Sequence, residues 1–326
     1  MISRRQMMIA LGAGALAPLE LLAKQRAKSV RIGVLLTLYS ANEGAPGELR
    51  KGLRSLGYRE GKNAVIEWRS AEGDYDRLPA LAAELAKLKL DVIVTDVTLA
   101  ARAAHQASAK TPIVFMAAAD PVDGGLVASL ARPGGNITGL SILLSDIGAK
   151  RLQLLSEAVP KVTRVGAFWN PETKYHANLL KEIQAAAGQL KLEILPVAMQ
   201  KSAELEAGFA ALTKANAHAL YVADDPMFFK SRNQLADLAL KNRLATVFSH
   251  PDFVTAGGLL AYGANLGDMF RSSAMYVDKI LKGRKPADLP VEQAARLDLS
   301  INLKTAAALG LTVSDSIRAQ ATRVIE

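Results

Sequence analysis

Residues 111–141 read TPIVFMAAADPVDGGLVASLARPGGNITGLS, and this stretch sets the architecture. Ile113 to Met116 is an apolar run with β-branched and aromatic residues and no polar alternation, the pattern of a strand covered on both faces. After three alanines come Asp120, which suits a helix N-cap, and Pro121, which suits the first helical position, so a helix is expected to start there. Pro133-Gly134-Gly135-Asn136 reads as a turn, and Ile137 to Ser141 re-enters the sheet. In an open α/β sheet, ligands bind at such strand-to-helix junctions. The same residues equally make a plain structural connection, with Asp120 serving only as a cap.

Working outward, apolar runs at Val30 to Leu36, Val65 to Trp68 and Val92 to Thr95 precede this unit. Leu78, Leu81, Ala82, Leu85 and Leu88 between them have the spacing of a helix with one buried face. The second half repeats the alternation, with strands expected at Val162 to Trp169, Leu192 to Val197, Ala219 to Val222, Thr246 to Ser249 and Leu259 to Tyr262. Helices are expected near 173–188, 203–214 and 227–241. Alternation of this kind means parallel sheets with right-handed crossovers. A long helix from Leu266 to Leu281 and a strand from Arg296 to Asn302 follow. The expected fold is α/β, two doubly wound parallel-sheet lobes joined by a multi-crossover hinge around a cleft. One lobe takes residues 28–141 plus 263–295, the other 142–262 plus 296–326.

Half of the 326 residues are apolar, enough for a large core, and length suggests about two domains. There is no cysteine, which excludes disulfides, Cys-ligated zinc, thiol catalysis and a lipidated amino-terminal Cys. At the amino terminus Ser3-Arg4-Arg5-Gln6-Met7-Met8 leads into the apolar run Ile9 to Ala17. A basic segment before a short apolar one reads as an export signal over residues 1–27, twin-arginine-like in its paired arginines, with the mature chain starting near Lys28. A periplasmic location is expected, and an uncleaved anchor is the alternative. The signal carries four basic residues and one acidic, so +3 of the formal net charge of +9 leaves with it. The remainder is diffuse, with no Lys/Arg stripe interleaved with aromatics, and no nucleic-acid partner is expected.

Thr37-Leu38-Tyr39-Ser40 follows the first strand in place of a glycine-rich phosphate loop, and the chain has no G-x-G-x-x-G, Walker-type or G-x-S-x-G motif. No catalytic residue, cofactor or metal is therefore expected; His250 beside Asp252 is too small a set for a metal site.

The chain resembles periplasmic substrate-binding proteins of ABC transporters with the type I two-lobed fold, in the branch whose better-known members bind tryptophan and related aromatic amino acids. The resemblance runs over residues 30–326. It is carried by Ile32-Gly33-Val34-Leu35, by Leu56-Gly57-Tyr58-Arg59-Glu60-Gly61-Lys62-Asn63, and by Pro112 to Phe115 with Asp120-Pro121-Val122. Arg132 to Gly139, Asp278 to Gly283 with Lys285-Pro286, and Ile301 to Ala306 with Leu309-Gly310-Leu311 complete it. The resemblance implies a small-molecule ligand between the lobes, an inner-membrane ABC permease as partner, and a monomer. It implies contacts at Leu38, Tyr39 and Ser40, at Asp96 and Thr98, and at Ala118 and Asp120 in the first lobe. In the second it implies Asn170 and Thr173, Asp224 and Asp225, and His250, with Tyr262 at a crossover as a ligand cover. Asp225 stands where the tryptophan-type pattern has Asn.

These residues suit a small zwitterion or carboxylate. Helix amino termini after Thr98, Asp120 and Pro171 are expected to offer N–H groups to a carboxylate, and Asp224 to take an ammonium group. Each also has a structural use: Asp224 as a cap near Pro226, His250 as part of a turn, and Tyr39 and Tyr262 as packing rings. The expected function is solute capture by hinge closure for an ABC importer. The alternatives are a periplasmic sensing module for a receptor, which would use the same cleft, and a nucleotide-dependent enzyme, which the missing motifs oppose.

Overall fold

The computed structural model describes residues 29–40, 44–142, 145–173 and 175–326; the export-signal reading of residues 1–27 lies outside them. In chain order the elements are β1 (Val30–Leu36), α1 (Ala45–Ser55), β2 (Ala64–Ser70), α2 (Leu78–Ala86), β3 (Val92–Thr95), α3 (Thr98–Ala107), β4 (Ile113–Ala119) and β5 (Ile137–Ile142). Then come α4 (Ser145–Ala158), β6 (Arg164–Trp169), α5 (His176–Leu190), β7 (Glu193–Ala198), α6 (Leu205–Lys214), β8 (Ala219–Val222), α7 (Pro226–Lys230) and α8 (Arg232–Lys241). The chain ends with β9 (Ala245–Phe248), α9 (Pro251–Thr255), β10 (Leu260–Ala264), α10 (Leu266–Leu281), β11 (Glu292–Gln293), β12 (Leu297–Asn302), α11 (Leu303–Ala308), α12 (Asp315–Gln320) and β13 (Arg323–Ile325).

The strands form two sheets, ordered β11-β5-β4-β3-β1-β2 and β13-β12-β10-β9-β8-β6-β7. Strand alternation divides the apolar residues of each sheet between two helical layers. In the amino-terminal lobe Ile32, Val34 and Leu36 pack with Leu49 and Leu53 of α1 and Phe270 and Val277 of α10. Leu35, Ile93 and Phe115 face Leu81 and Leu85 of α2 and the alanine-rich side of α3. The second sheet is likewise covered by α4 and α5 on one face and by α6, α8 and α9 on the other.

All pairings in the first sheet are parallel. In the second, β10 and β12 pair antiparallel. The chain leaves β10 for α10, which packs in the first lobe, and comes back through β11. It therefore enters β12 from the interlobe end and runs opposite to β10. Together with the passage from β5 to α4, this makes three crossings between the sheets.

Three helix expectations are corrected. No helix follows Asp120: residues 121–125 make turns, with Gly124 N–H to Asp120 C=O at 2.9 Å and Leu126 N–H to Pro121 C=O at 2.9 Å. Gly124-Gly125 weakens the helix where it would need to propagate, and Gly125, at φ 69°, ends the turn. After β6, Pro171 to Thr173 form a turn and α5 starts only at His176. The segment expected as one helix over 227–241 is two, α7 and α8, broken at Ser231.

Candidate functional site

The carboxyl ends of the parallel strands of both sheets face one cavity of about 860 Å³. Of the sequence-predicted residues, Leu38, Tyr39, Asp96, Thr98, Asp120, Asn170, Thr173, Asp224, Asp225 and His250 line it. Ser40, Ala118 and Tyr262 do not. Ala118 is fully buried in the layer against α3, while its neighbours Ala117 and Ala119 line the cavity; the pleat of β4 puts alternate residues on opposite faces. Tyr262 packs against the core of the carboxyl-terminal lobe rather than covering the cleft.

The amino-lobe wall is built at the ends of β1 and β3. Asp96, fully buried, accepts from Thr37 N–H and Thr37 Oγ1, both at 2.6 Å, and from Val97 N–H at 2.8 Å. Its carboxylate thus ties the end of β1 to the start of α3. Burial pushes the Asp96 carboxyl above its ordinary range, and the two Thr37 bonds oppose that shift. Thr98 Oγ1 donates to Ala119 C=O and accepts from Ala119 N–H, each at 3.0 Å, clamping β4 to the first turn of α3. Val97, Thr98 and Leu99 line the cavity with Arg102 one turn further on, so an amino-terminal helix end and a cation face the same space. Asp120 accepts from Asp123 N–H at 3.1 Å and caps a turn instead of a helix.

In the opposite wall two adjacent aspartates follow β8 and do different work. Asp225 is the N-cap of α7, taking Met227 N–H at 2.8 Å on Oδ1, and its Oδ2 accepts from Thr173 Oγ1 at 2.8 Å and Asn170 Nδ2 at 3.2 Å. Both oxygens are engaged, one in capping α7 and the other in holding the loop after β6. Asp224 receives Ser249 Oγ at 2.8 Å on Oδ1, while its Oδ2 lies 4.0 Å from Arg151 Nη2, its one ion-pair contact among the described residues. Tyr175 Oη and His176 Nε2 both donate to the Asp224 carbonyl, the latter at 3.2 Å, fixing the backbone beneath that carboxylate. His176 Nδ1 accepts from Asn170 N–H at 2.9 Å. His250 Nδ1 accepts from Asp252 N–H at 3.2 Å as the N-cap of α9, so the expected turn is a short helix start. Burial lowers the pKa of both imidazoles, with Asp225 opposing at His176 and Asp252 at His250.

Aromatic rings line the space between the walls. Tyr39 meets Phe229 of α7 edge-on at 6.2 Å between centroids and Phe270 of α10 at 6.3 Å. Phe229 in turn contacts His250 at 5.3 Å and lies 4.9 Å from the Arg232 guanidinium. Tyr39 belongs to the amino lobe and Phe229 to the carboxyl lobe, and Lys230 Nζ reaches Gly73 C=O at 3.4 Å, so the lobes touch across the cleft mouth. Tyr75 Oη is buried without a hydrogen-bond partner, and burial raises its pKa.

Tyr75, Arg102, Arg151, Tyr175, Phe229 and Phe270 were not anticipated. Tyr75 sits in the loop after β2 and follows the strand-end rule that picked out the other loops. Arg151 interrupts the buried face of α4 marked by Ile147, Leu155 and Ala158, four residues from Ile147 and four from Leu155. No helix among the described residues is long and apolar enough to cross a membrane. Among those residues there is also no group of three or more His, Cys, Asp or Glu able to hold a metal ion.

The sequence profile of the family described as ABC transporter substrate binding protein matches residues 32–325, almost the whole described chain. The chain belongs to that family. It is a solute-binding protein, and its family and relatives are not enzymes. A tyrosine-binding protein of Clostridioides difficile is 26% identical over 287 residues, covering 88% of this chain and 82% of the relative. A crystal structure of a conserved domain protein from Vibrio cholerae superposes with a TM-score of 0.83 at 27% identity, over 91% of this chain and 100% of that one. An ABC domain from Streptococcus pneumonia in complex with L-Trp gives 0.82 at 24% identity over 91% and 100%, which fixes the fold as that of type I periplasmic binding proteins. The ligand-free, open structure of a substrate-binding protein from Clostridium difficile gives 0.70 at 25% identity over 91% and 99%.

Proposed function

We propose that this chain is the extracytoplasmic solute-binding component of an ABC importer and that its ligand is an aromatic amino acid, delivered to an inner-membrane permease. The observation that carries the ligand class is the pairing of an open carboxylate, Asp224 Oδ2, with the Tyr39, Phe229 and Phe270 rings in one cavity. The tyrosine-binding relative supports the same reading. In this arrangement the ligand ammonium sits on Asp224 and its carboxylate takes the free N–H groups at the start of α3, with Arg102 adding charge. The ring occupies the aromatic space. Because such a ligand touches both walls only when the lobes are shut, binding shifts the hinge toward closure. The cavity of about 860 Å³ is ample for one amino acid with some water.

A thermal-shift screen of the mature protein against the twenty amino acids, aromatic acids and nucleosides tests this. A ligand at 100 times its Kd stabilises by about 2.7 kcal/mol. L-tyrosine, L-tryptophan or L-phenylalanine is expected to give the largest shift. A large shift from a nucleoside or an aliphatic acid, with none from these three, would overturn the assignment of ligand class and leave the family untouched.

A further inference from the structure

Arg151 is a largest-class side chain with no exposure at all, placed on the buried face of α4. A cation in a dry core is costly unless it is paired and bonded, so its contacts indicate what it is for. Nε donates to Tyr262 C=O at 2.6 Å and Nη1 to Tyr221 Oη at 3.4 Å. Among the described residues Nη2 has no hydrogen-bond partner, and it lies 4.0 Å from Asp224 Oδ2. Gly263 lets the backbone of β10 close onto Ser249, where a Cβ would stand 2.0 Å from Ser249 C=O, and so brings that residue beside the guanidinium. The guanidinium is therefore pinned at two points, and its third nitrogen is turned to Asp224, whose hydrogen bond from Ser249 falls on Oδ1 and leaves Oδ2 nearest the cation. Tyr262, which holds it, lies on the last strand before the chain crosses to the amino lobe.

We propose that Arg151 is a positioning residue for solute binding, holding Asp224 as an oriented carboxylate with Oδ2 turned to the cavity. The inference deepens the reading of Asp224 as the acceptor of a ligand ammonium group. Ser249 fixes one oxygen, and attraction to the buried guanidinium, which lines the same cavity, holds the other on the cavity wall beside it. The Asp224 that meets the ligand is then in place before binding, which reduces the ordering cost of capture.

The test measures L-tyrosine and its deaminated analogue 3-(4-hydroxyphenyl)propionate by calorimetric titration on wild type, Arg151→Met and Arg151→Lys. Arg151→Met is expected to weaken L-tyrosine tenfold or more and the analogue, which makes no demand on Asp224, less than twofold. Arg151→Lys, which keeps the charge, is expected to recover part of the loss. Equal weakening of both compounds in Arg151→Met would show a packing role only and overturn the proposal. A second arm needs no ligand: thermal unfolding of Asp224→Asn, Arg151→Lys and the double variant. Coupling, with the double variant losing less than the two singles together, is expected; strict additivity overturns the proposal. If wild type binds neither compound, the ligand reading fails while this second arm still decides the Arg151–Asp224 link. If Arg151→Met does not fold, Arg151→Lys decides the first arm: a larger loss for L-tyrosine than for the analogue supports the proposal, and equal losses overturn it.

Discussion

Asp96 and Asp224 are both aspartates at the carboxyl end of a buried parallel strand, one residue past β3 and two past β8, and both line the cavity. Asp96 spends its carboxylate on Thr37 and Val97 and is fully buried. Asp224 spends one oxygen on Ser249 and leaves the other facing Arg151 and the cleft. The amino wall thus uses its charge to lock backbone and offers N–H groups, whereas the carboxyl wall anchors its backbone through Tyr175, His176 and Asp225 and keeps one carboxylate available.

The largest effect should come from breaking the structural partner. Asp96→Ala leaves the buried Thr37 N–H, the partly buried Val97 N–H and the Thr37 hydroxyl without an acceptor, and at about 1–3 kcal/mol for each lost partner it should cost about 3–5 kcal/mol of stability. Urea denaturation would measure it, and a loss under about 1 kcal/mol would mean the two aspartates are not differently employed. Asp224→Asn keeps the Ser249 bond but removes the charge. It should weaken L-tyrosine about 100-fold, a change of about 3 kcal/mol, and, because it also takes away the charged neighbour of buried Arg151, it should lower the melting temperature of the free protein.

Acid should loosen the carboxyl wall. His176 and His250 both belong to it, and burial holds their pKa values below the ordinary 6.5. The unfolded chain then takes up protons that the folded one refuses. Stability is complete above about pH 6.5 and falls as pH drops below it, by up to about 1.4 kcal/mol per pH unit for each imidazole. Melting curves from pH 7.5 to 5 should show this decline, and His250→Asn, which still caps α9, should flatten it. A slope unchanged by that substitution would place the acid response elsewhere. The smallest effect concerns the ring that spans the lobes. Tyr39→Leu removes two edge-on aromatic contacts worth about 1 kcal/mol together and should weaken an aromatic ligand about fivefold while sparing an aliphatic one; equal affinities for both would remove Tyr39 from ligand selection.

Much of the fold was legible because strands covered on both faces write continuous apolar runs and helices write a one-faced stripe. The helix from Leu266 to Leu281 has the bounds that its pattern gave. The missing helix after Asp120 was not legible from its cap: Asp-Pro is a good start, but the Gly124-Gly125 pair four residues later stops propagation. The stretch Ala118 to Asp120 is legible as a strand end, but that Ala118 turns away while Ala119 lines the cavity is not, because a strand end can be located within a residue or two whereas the face a side chain takes changes with every residue.

The sequence by itself determined two wound sheets, a cleft at their strand ends and a pair of aspartates after β8, since periodicity and turn chemistry are local. Only the tertiary structure decided which aspartate is free. Asp225 is consumed by Asn170 and Thr173, more than fifty residues away in the chain, and Asp224 is backed by Arg151 across more than seventy. Those pairings depend on how β6, β8 and α4 pack around one point, and no local pattern encodes that packing.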